Sequence, residues 1–304
     1  MCCRSCDKLV PQGVYFSVER ATPAHTELNS ALSLLFPLIT ASTISPSVSS
    51  SLPHASPAAN LKPKEHVAYA ILAIPKATSL AITGLTVPGI RIAIAAFAGF
   101  FAHEPLLVAL GRRGTRAQRS TPQAKQHLFI LLGLTVACGM IGFATGSTPV
   151  RAGLLVCALL ATSSFLLSIA GHHRTLGGQL WGVVGLSVPC VPILLSGDLS
   201  LGKTMVIWTA WLIGFTATTV AVRGVIAFQK CRWIAIPVLT LVALFGLVAG
   251  LEIRHNFLAI TTLPMLVMSG HLLWNPPPAK HLKRVGWPLV TGTIATAVWM
   301  IALV

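Results

Sequence analysis

From Val67 to Val304 the chain runs through nine apolar stretches, and the gaps between them hold most of its Lys and Arg. The stretches are Val67–Leu85, Ile90–Leu110, His127–Ala144, Val150–Ala170, Leu180–Leu195, Thr204–Val222, Trp233–Gly250, Phe257–Leu273 and Trp287–Val304. Most approach the roughly 20 residues a tilted helix needs to cross about 30 Å of hydrocarbon. No alternation of period two appears, so barrel strands are excluded and helices are the spanning form. The fifth stretch is short and contains Pro189 and Pro192, which predicts a broken or partly re-entrant end. The expected fold is all-α: a polytopic transmembrane helical bundle of about nine helices.

Composition supports lipid as the solvent. Hydrophobic residues make up 54% of the 304 positions and charged residues only 10%, against about 25% charged in a soluble domain. In a soluble chain a net charge of +15 would point to nucleic acid. Here the basic residues alternate by loop, and no zinc-finger, homeodomain or RRM pattern accompanies them, so no nucleic-acid partner is expected. On one side lie Lys62, Lys64, Arg112, Arg113, Arg116, Arg119, Lys125, Arg174, Arg223, Lys230, Arg232, Lys280, Lys283 and Arg284. The other side has only Arg91, Arg151, Lys203 and Arg254. That bias predicts a cytoplasmic N-terminus and an external C-terminus in the cell (inner) membrane, multi-pass, with membrane lipids as its surroundings.

Residues 1–61 differ. They are rich in Ser, Pro, Thr and Ala, and Thr40–Pro57 reads as disordered. Ala31–Ile39 is too short to span and lacks the flanks of a signal peptide. The segment reads as a floppy extension or as a start assigned too far upstream, preceding an integral membrane domain over 62–304. Cys2, Cys3 and Cys6 open the chain without a second His/Cys pair at zinc spacing, so neither a metal site nor a cofactor is expected. Cys138, Cys157, Cys190 and Cys231 lie singly in or beside apolar stretches and read as small apolar residues.

Gly197–Thr204 matches the phosphate-cradling pattern G-x-x-x-x-G-K-[ST]. That loop works between a strand and a helix, with a downstream Asp on Mg²⁺, and no Asp follows Asp198. A polar hairpin between helices is the better reading. The pairs Gly142/Gly146, Gly178/Gly182 and Gly246/Gly250 read as close packing inside the bundle.

Lys76 is the most informative charge. Glu65, Tyr69, Leu72 and Lys76 share one helix face, and Lys76 lies about ten residues, or ~15 Å, into the first span. An ammonium at that depth costs at least ~2.5 kcal/mol, so it should face the bundle interior or a wet cavity. Pro75 beside it opens the backbone and leaves a carbonyl as a local partner. The alternative is a snorkelling lysine in a slightly shifted helix. At the basic end His103 and Glu104, with Glu65 and His66, make a candidate polar cluster, read equally well as an interfacial ion-pair patch. Thr219 and Arg223 are i, i+4 partners suited to an anionic group. His172-His-Arg174 reads as an interfacial cap.

Pro63-Lys-Glu-His66, the Phe-x-x-x-Pro-Leu end of the second span, Val222-Arg223 and Lys283-Arg-Val-Gly-Trp287 resemble the YwiC-like bacterial membrane proteins over roughly residues 62–304. Val67 and Tyr69 stand where that family tends to show Gly and Trp. The resemblance implies a bacterial multi-pass membrane protein and carries no activity. The architecture is also similar to the UbiA-type prenyltransferases, whose two Asp-rich loops hold Mg²⁺-diphosphate. The corresponding loops here hold no Asp, and Glu104 alone cannot anchor two metals. Three functions follow from these residues. The first is binding or translocation of a small or lipid-like anionic ligand by Glu65, His66, Lys76, His103, Glu104 and Arg223. The second is a degenerate lipid-modifying or prenyl-modifying enzyme with a cavity lined by Arg112, Arg113 and Arg223. The third is a non-catalytic membrane scaffold. Whether the chain is an enzyme stays open at this level.

Overall fold

The computed structural model describes residues 66–112, 114, 118–119, 121–172, 175–229, 235–253, 257–276 and 286–304. The N-terminal extension, Glu65 and the His66 side chain, Arg113, Arg116, Arg174 and the second halves of several basic loops lie outside the described residues.

Among the described residues the chain is helical, with no strand. The helices are α1 (His66–Thr83), α2 (Val87–Ala109), α3 (Ala124–Thr145), α4 (Thr148–Ile169), α5 (Leu176–Ser187) and α6 (Cys190–Leu195). They continue with α7 (Leu201–Gln229), α8 (Ala235–Ile253), α9 (Leu263–Trp274), preceded by the 3₁₀ turn Ala259–Thr262, and α10 (Gly286–Leu303). Seven of the spans are long and apolar enough to cross a membrane, the α5–α6 pair counting as one over Leu176–Leu195. Ala68–Thr83 and Ala259–Trp274 are shorter apolar segments.

Local chemistry starts these helices where the sequence allows. The Thr86 hydroxyl accepts from the Gly89 amide at 3.2 Å and Pro88 occupies the first turn of α2. The Thr175 hydroxyl accepts from the Gly178 amide at 3.0 Å at the start of α5. Both satisfy amides that a helix leaves orphaned at its N-terminus. Gly84, at φ +76°, supplies the turn from α1 into α2.

Two sets of contacts fix the ends of the bundle. At one end the Thr86 and Ser196 hydroxyls bond at 2.8 Å, joining the α1–α2 and α6–α7 connections. Gly197 packs there against Thr83 so closely that a Cβ would lie 2.2 Å from Thr83 Cβ. At the other end, which carries the basic loops, His103 near the end of α2 meets Ser168 near the end of α4. Arg223 near the end of α7 meets Gln179 at the start of α5. Alternating connections at opposite ends are what an up-and-down bundle requires.

The core lies among α1, α5, α6, α7, α9 and α10. Ile71, Val183, Leu194, Ile207, Trp211, Phe215, Met265 and Met300 form one buried cluster there, and Trp211 stacks on Phe215 with ring centroids 5.5 Å apart. A second cluster joins α2 and α4 to α6 through Ile92, Val150, Val191 and Ile193. By contrast α3, α4 and α8 leave most of their apolar surface outside: Phe129, Ile130, Val136, Met140, Leu155, Leu159, Leu239 and Val242 are all exposed. Helices apolar on every side with so much exposed hydrocarbon belong in lipid.

The fifth span begins at Leu176, four residues earlier than its apolar run, and over Leu176–Leu195 is long and apolar enough to cross a membrane. Its break at Val188–Pro189 is the one the prolines predict. The glycine pairs need correction. Gly142 is buried against Ile92 and Leu154, as packing requires, but a Cβ at Gly182, Gly246 or Gly250 would meet nothing within 4 Å. Gly246 and Gly250 face outward, so that pair has no packing role inside this chain.

Gly197→Val should therefore wedge the two hairpins apart and lower stability by about 1–3 kcal/mol, whereas Gly246→Val should leave it within about 0.5 kcal/mol. Thermal unfolding of the detergent-purified variants checks both.

Candidate functional site

Lys76 lies in the interior. Its side chain is 1% exposed, and its ammonium donates to the Leu72 carbonyl at 2.8 Å and to the Leu186 carbonyl on α5 at 2.9 Å. Prolines explain the arrangement. Pro75 has no amide, so the Ile71 carbonyl loses its usual partner and α1 is locally loosened. Pro189 interrupts the α5–α6 ladder, which turns over through the Val191 amide to the Val188 carbonyl at 2.9 Å. The Leu186 carbonyl, at the end of the intact part of α5, accepts from the lysine instead. The local carbonyl expected from Pro75 is not the one used: Pro75 leaves the Ile71 carbonyl without its amide, whereas the lysine bonds the Leu72 carbonyl, and its longer-range partner lies beside the second proline break.

The surroundings of the ammonium are polar but uncharged. Ser79, one turn beyond Lys76 on the same face, donates to the Pro75 carbonyl at 2.7 Å and interacts with the Cys190 thiol. Cys157 of α4 and Cys190 of α6 lie close enough to Lys76 to interact with it electrostatically. Next to Leu186, the Ser187 hydroxyl accepts from the Trp208 indole at 3.2 Å, tying this level of α5 to α7. No carboxylate forms an ion pair with Lys76 among the described residues. Two carbonyl bonds leave one ammonium proton for a further acceptor.

His103, Glu104 and Arg223 lie at the basic end. His103 Nε2 lies 2.9 Å from Ser168 Oγ, and its ring stacks on Phe165 with centroids 5.9 Å apart. That seats His103 on α4. Glu104 is buried on α2 beside Pro105. Arg223 Nε donates to Gln179 Oε1 at 2.7 Å, on α5. Thr219 turns its hydroxyl to the Phe215 carbonyl at 2.8 Å. Tyr69, on the Lys76 face, packs against Phe100 and Phe101. Seven residues separate it from Lys76, about 10 Å along the helix. The lysine and the basic-end residues therefore stand at different levels of the bundle. Arg112 is exposed past the end of α2.

Gly197–Thr204 turns from α6 into the first turn of α7, with Thr204 fully buried. A helix, not a strand, precedes it, so the phosphate-cradling geometry is missing. Among the described residues no group of three His, Cys, Asp or Glu side chains is placed to hold a metal. Sequence reasoning missed the roles of Leu186, Ser187 and Trp208. A backbone carbonyl has no sequence signal of its own, although Pro189 marked where one would be released.

A helical bundle with an apolar exterior and a buried ammonium at a proline break defines the class: an all-helical membrane protein. Residues 63–194 match the family model described as YwiC-like protein. The matched segment runs from α1 into α6 and thus contains Lys76, Leu186 and both proline breaks. It stops short of α7 to α10, which the resemblance in sequence had included. No curated protein and no solved structure matches the chain.

Ser168→Ala removes the His103 partner and should cost about 0.5–1.5 kcal/mol. Ser168→Thr, which keeps the hydroxyl, should cost less in the same thermal-unfolding measurement.

Proposed function

We propose that this protein sits multi-pass in the cell membrane, its N-terminal end cytoplasmic, and binds or translocates a small or lipid-like anionic ligand inside the bundle. Lys76 is the residue that neutralises the ligand. The observation that carries this reading is a buried ammonium bonded to two neutral carbonyls. A cation at that depth is costly and is retained where it has a charge to meet. Broken helices that release carbonyls at mid-depth are a recurrent way of building ligand sites in transporters. The basic loops, with Arg223 at the end of α7, favour approach of an anion from the cytoplasmic side.

Lys76→Leu keeps an apolar filling and removes the charge together with the Leu186 carbonyl bond, so its expression and melting temperature are measured beside those of the wild type. The purified wild type is heated with inorganic phosphate, sulfate or citrate in one arm and with phosphatidylglycerol or cardiolipin in the other. An anion near 100 times its Kd should stabilise the wild type by about 2.7 kcal/mol and leave Lys76→Leu unmoved. The two arms separate a soluble from a lipid ligand. In a deletion strain the wild-type gene should restore the metabolite and lipid profile and the Lys76→Leu allele should not. Full restoration by that allele, with unchanged stability and expression, overturns the reading.

A further inference from the structure

The buried and half-buried hydroxyls of this bundle mostly follow one habit, and a few break it. Thr78, Ser79, Thr83, Ser164, Thr218 and Thr293 all donate to a carbonyl three or four residues earlier in their own helix. That bond is the usual refuge of a hydroxyl with nothing else to meet. Thr204 on α7, Ser269 on α9 and Thr296 on α10 are fully buried and make no such bond, and the indole N–H of Trp211 on α7 is equally without a partner. A buried polar atom left unpaired costs about 1–3 kcal/mol, so four of them in one core call for something that pairs with them.

Three contacts give their relative levels. Trp208 bonds Ser187, next to the carbonyl that holds Lys76, so α7 is level with the lysine site at Trp208. Gly214 is pressed against Met265, which aligns α7 with α9. Gly292 meets the Pro264 carbonyl and Met265 Cα, where a Cβ would lie at 3.1 and 3.5 Å, which aligns α10 with α9. Thr204 then stands about one turn above Trp208, towards the hairpin end, and Trp211 about one turn below it. Thr296 is one turn towards the hairpin end from Gly292, level with Trp211. Ser269 is one turn past Met265 towards the basic end, level with Thr218. Thr204 and Trp211 are seven residues apart, two turns along one face. The four atoms thus span about 21 Å of depth, and the Lys76 level falls between the first and the second.

We propose that Thr204, Trp211, Thr296 and Ser269 line a route through the bundle interior by which a small hydrophilic anion crosses the membrane past Lys76. The proposal rests on the Lys76 reading of an anionic ligand and narrows it: the ligand is water-soluble and is transported, instead of being a lipid held from the side. The groups are three hydroxyls and an indole N–H, all able to donate to an anion, and none is charged. An anion can pass such donors without being trapped, while Lys76 supplies a fixed countercharge.

Thr204→Cys, Thr296→Cys and Ser269→Cys are each treated in membranes with the anionic thiol reagent 2-sulfonatoethyl methanethiosulfonate, and mass spectrometry assigns the adduct to the position. The reagent is itself a small hydrophilic anion and reacts only with a hydrated thiolate. The three sites should label at least about tenfold faster than Val242→Cys and Ile294→Cys, whose native side chains are exposed on the apolar outside. Labelling no faster than these lipid-facing controls overturns the route. Thr296→Val, of the same shape, gives a second readout. A rise in its melting temperature means the hydroxyl is dry and merely costly, which also overturns the route, and no rise supports it. Fast labelling together with anion responses identical in wild type and Lys76→Leu keeps the route and removes the Lys76 reading. Slow labelling with a Lys76-dependent anion response removes the route alone.

Discussion

An ammonium in the middle of an oily bundle organises the protein around it. Hydrocarbon has no water to solvate Lys76, so its protons must be met by the chain: by the Leu72 carbonyl of its own helix and by the Leu186 carbonyl beside the proline break between α5 and α6. The bond to Leu186 ties α1 to α5, and the neighbouring Ser187–Trp208 bond ties α5 to α7. One charge thereby fixes the relative levels of three core helices. Apolar packing cannot do this alone, because lipid competes equally well for Leu and Ile, whereas a misplaced polar group in hydrocarbon has no alternative partner.

The same solvent argument divides the helices into two kinds. α1, α5, α6, α7, α9 and α10 bury Trp211, Met265, Met300 and the polar groups. α3, α4 and α8 mostly face outward with Phe, Ile, Leu and Val. The outward helices make the bundle compatible with lipid, and the inner ones carry the chemistry. The family match covers the first inner helix, the proline-broken span and the lipid-facing pair between them.

Much of the fold was legible because bilayer thickness dictates segment length. Each of the nine apolar stretches corresponds to a helical span, and Pro189 marked the break in the fifth. The inward facing of Lys76 followed from its position and from the cost of a charge in lipid. What was not legible depended on which face of each helix meets another. Gly246 and Gly250 have the spacing of a packing motif, yet they point outward, since the pattern is the same for either face. His103 and Arg223, adjacent in role by charge alone, are seated on different helices through Ser168 and Gln179. The Leu186 carbonyl and the unpaired Trp211 indole become visible only when the backbone and its partners are in place.

The most direct test is a cryo-electron-microscopy map of the protein in lipid nanodiscs, resolved well enough to place the Lys76 side chain. The account predicts Nζ inside the bundle, within hydrogen-bonding distance of the Leu72 and Leu186 carbonyls and well below the headgroups. A lysine that instead runs along a shifted α1 to end among the headgroups, with Leu186 unengaged, would contradict it.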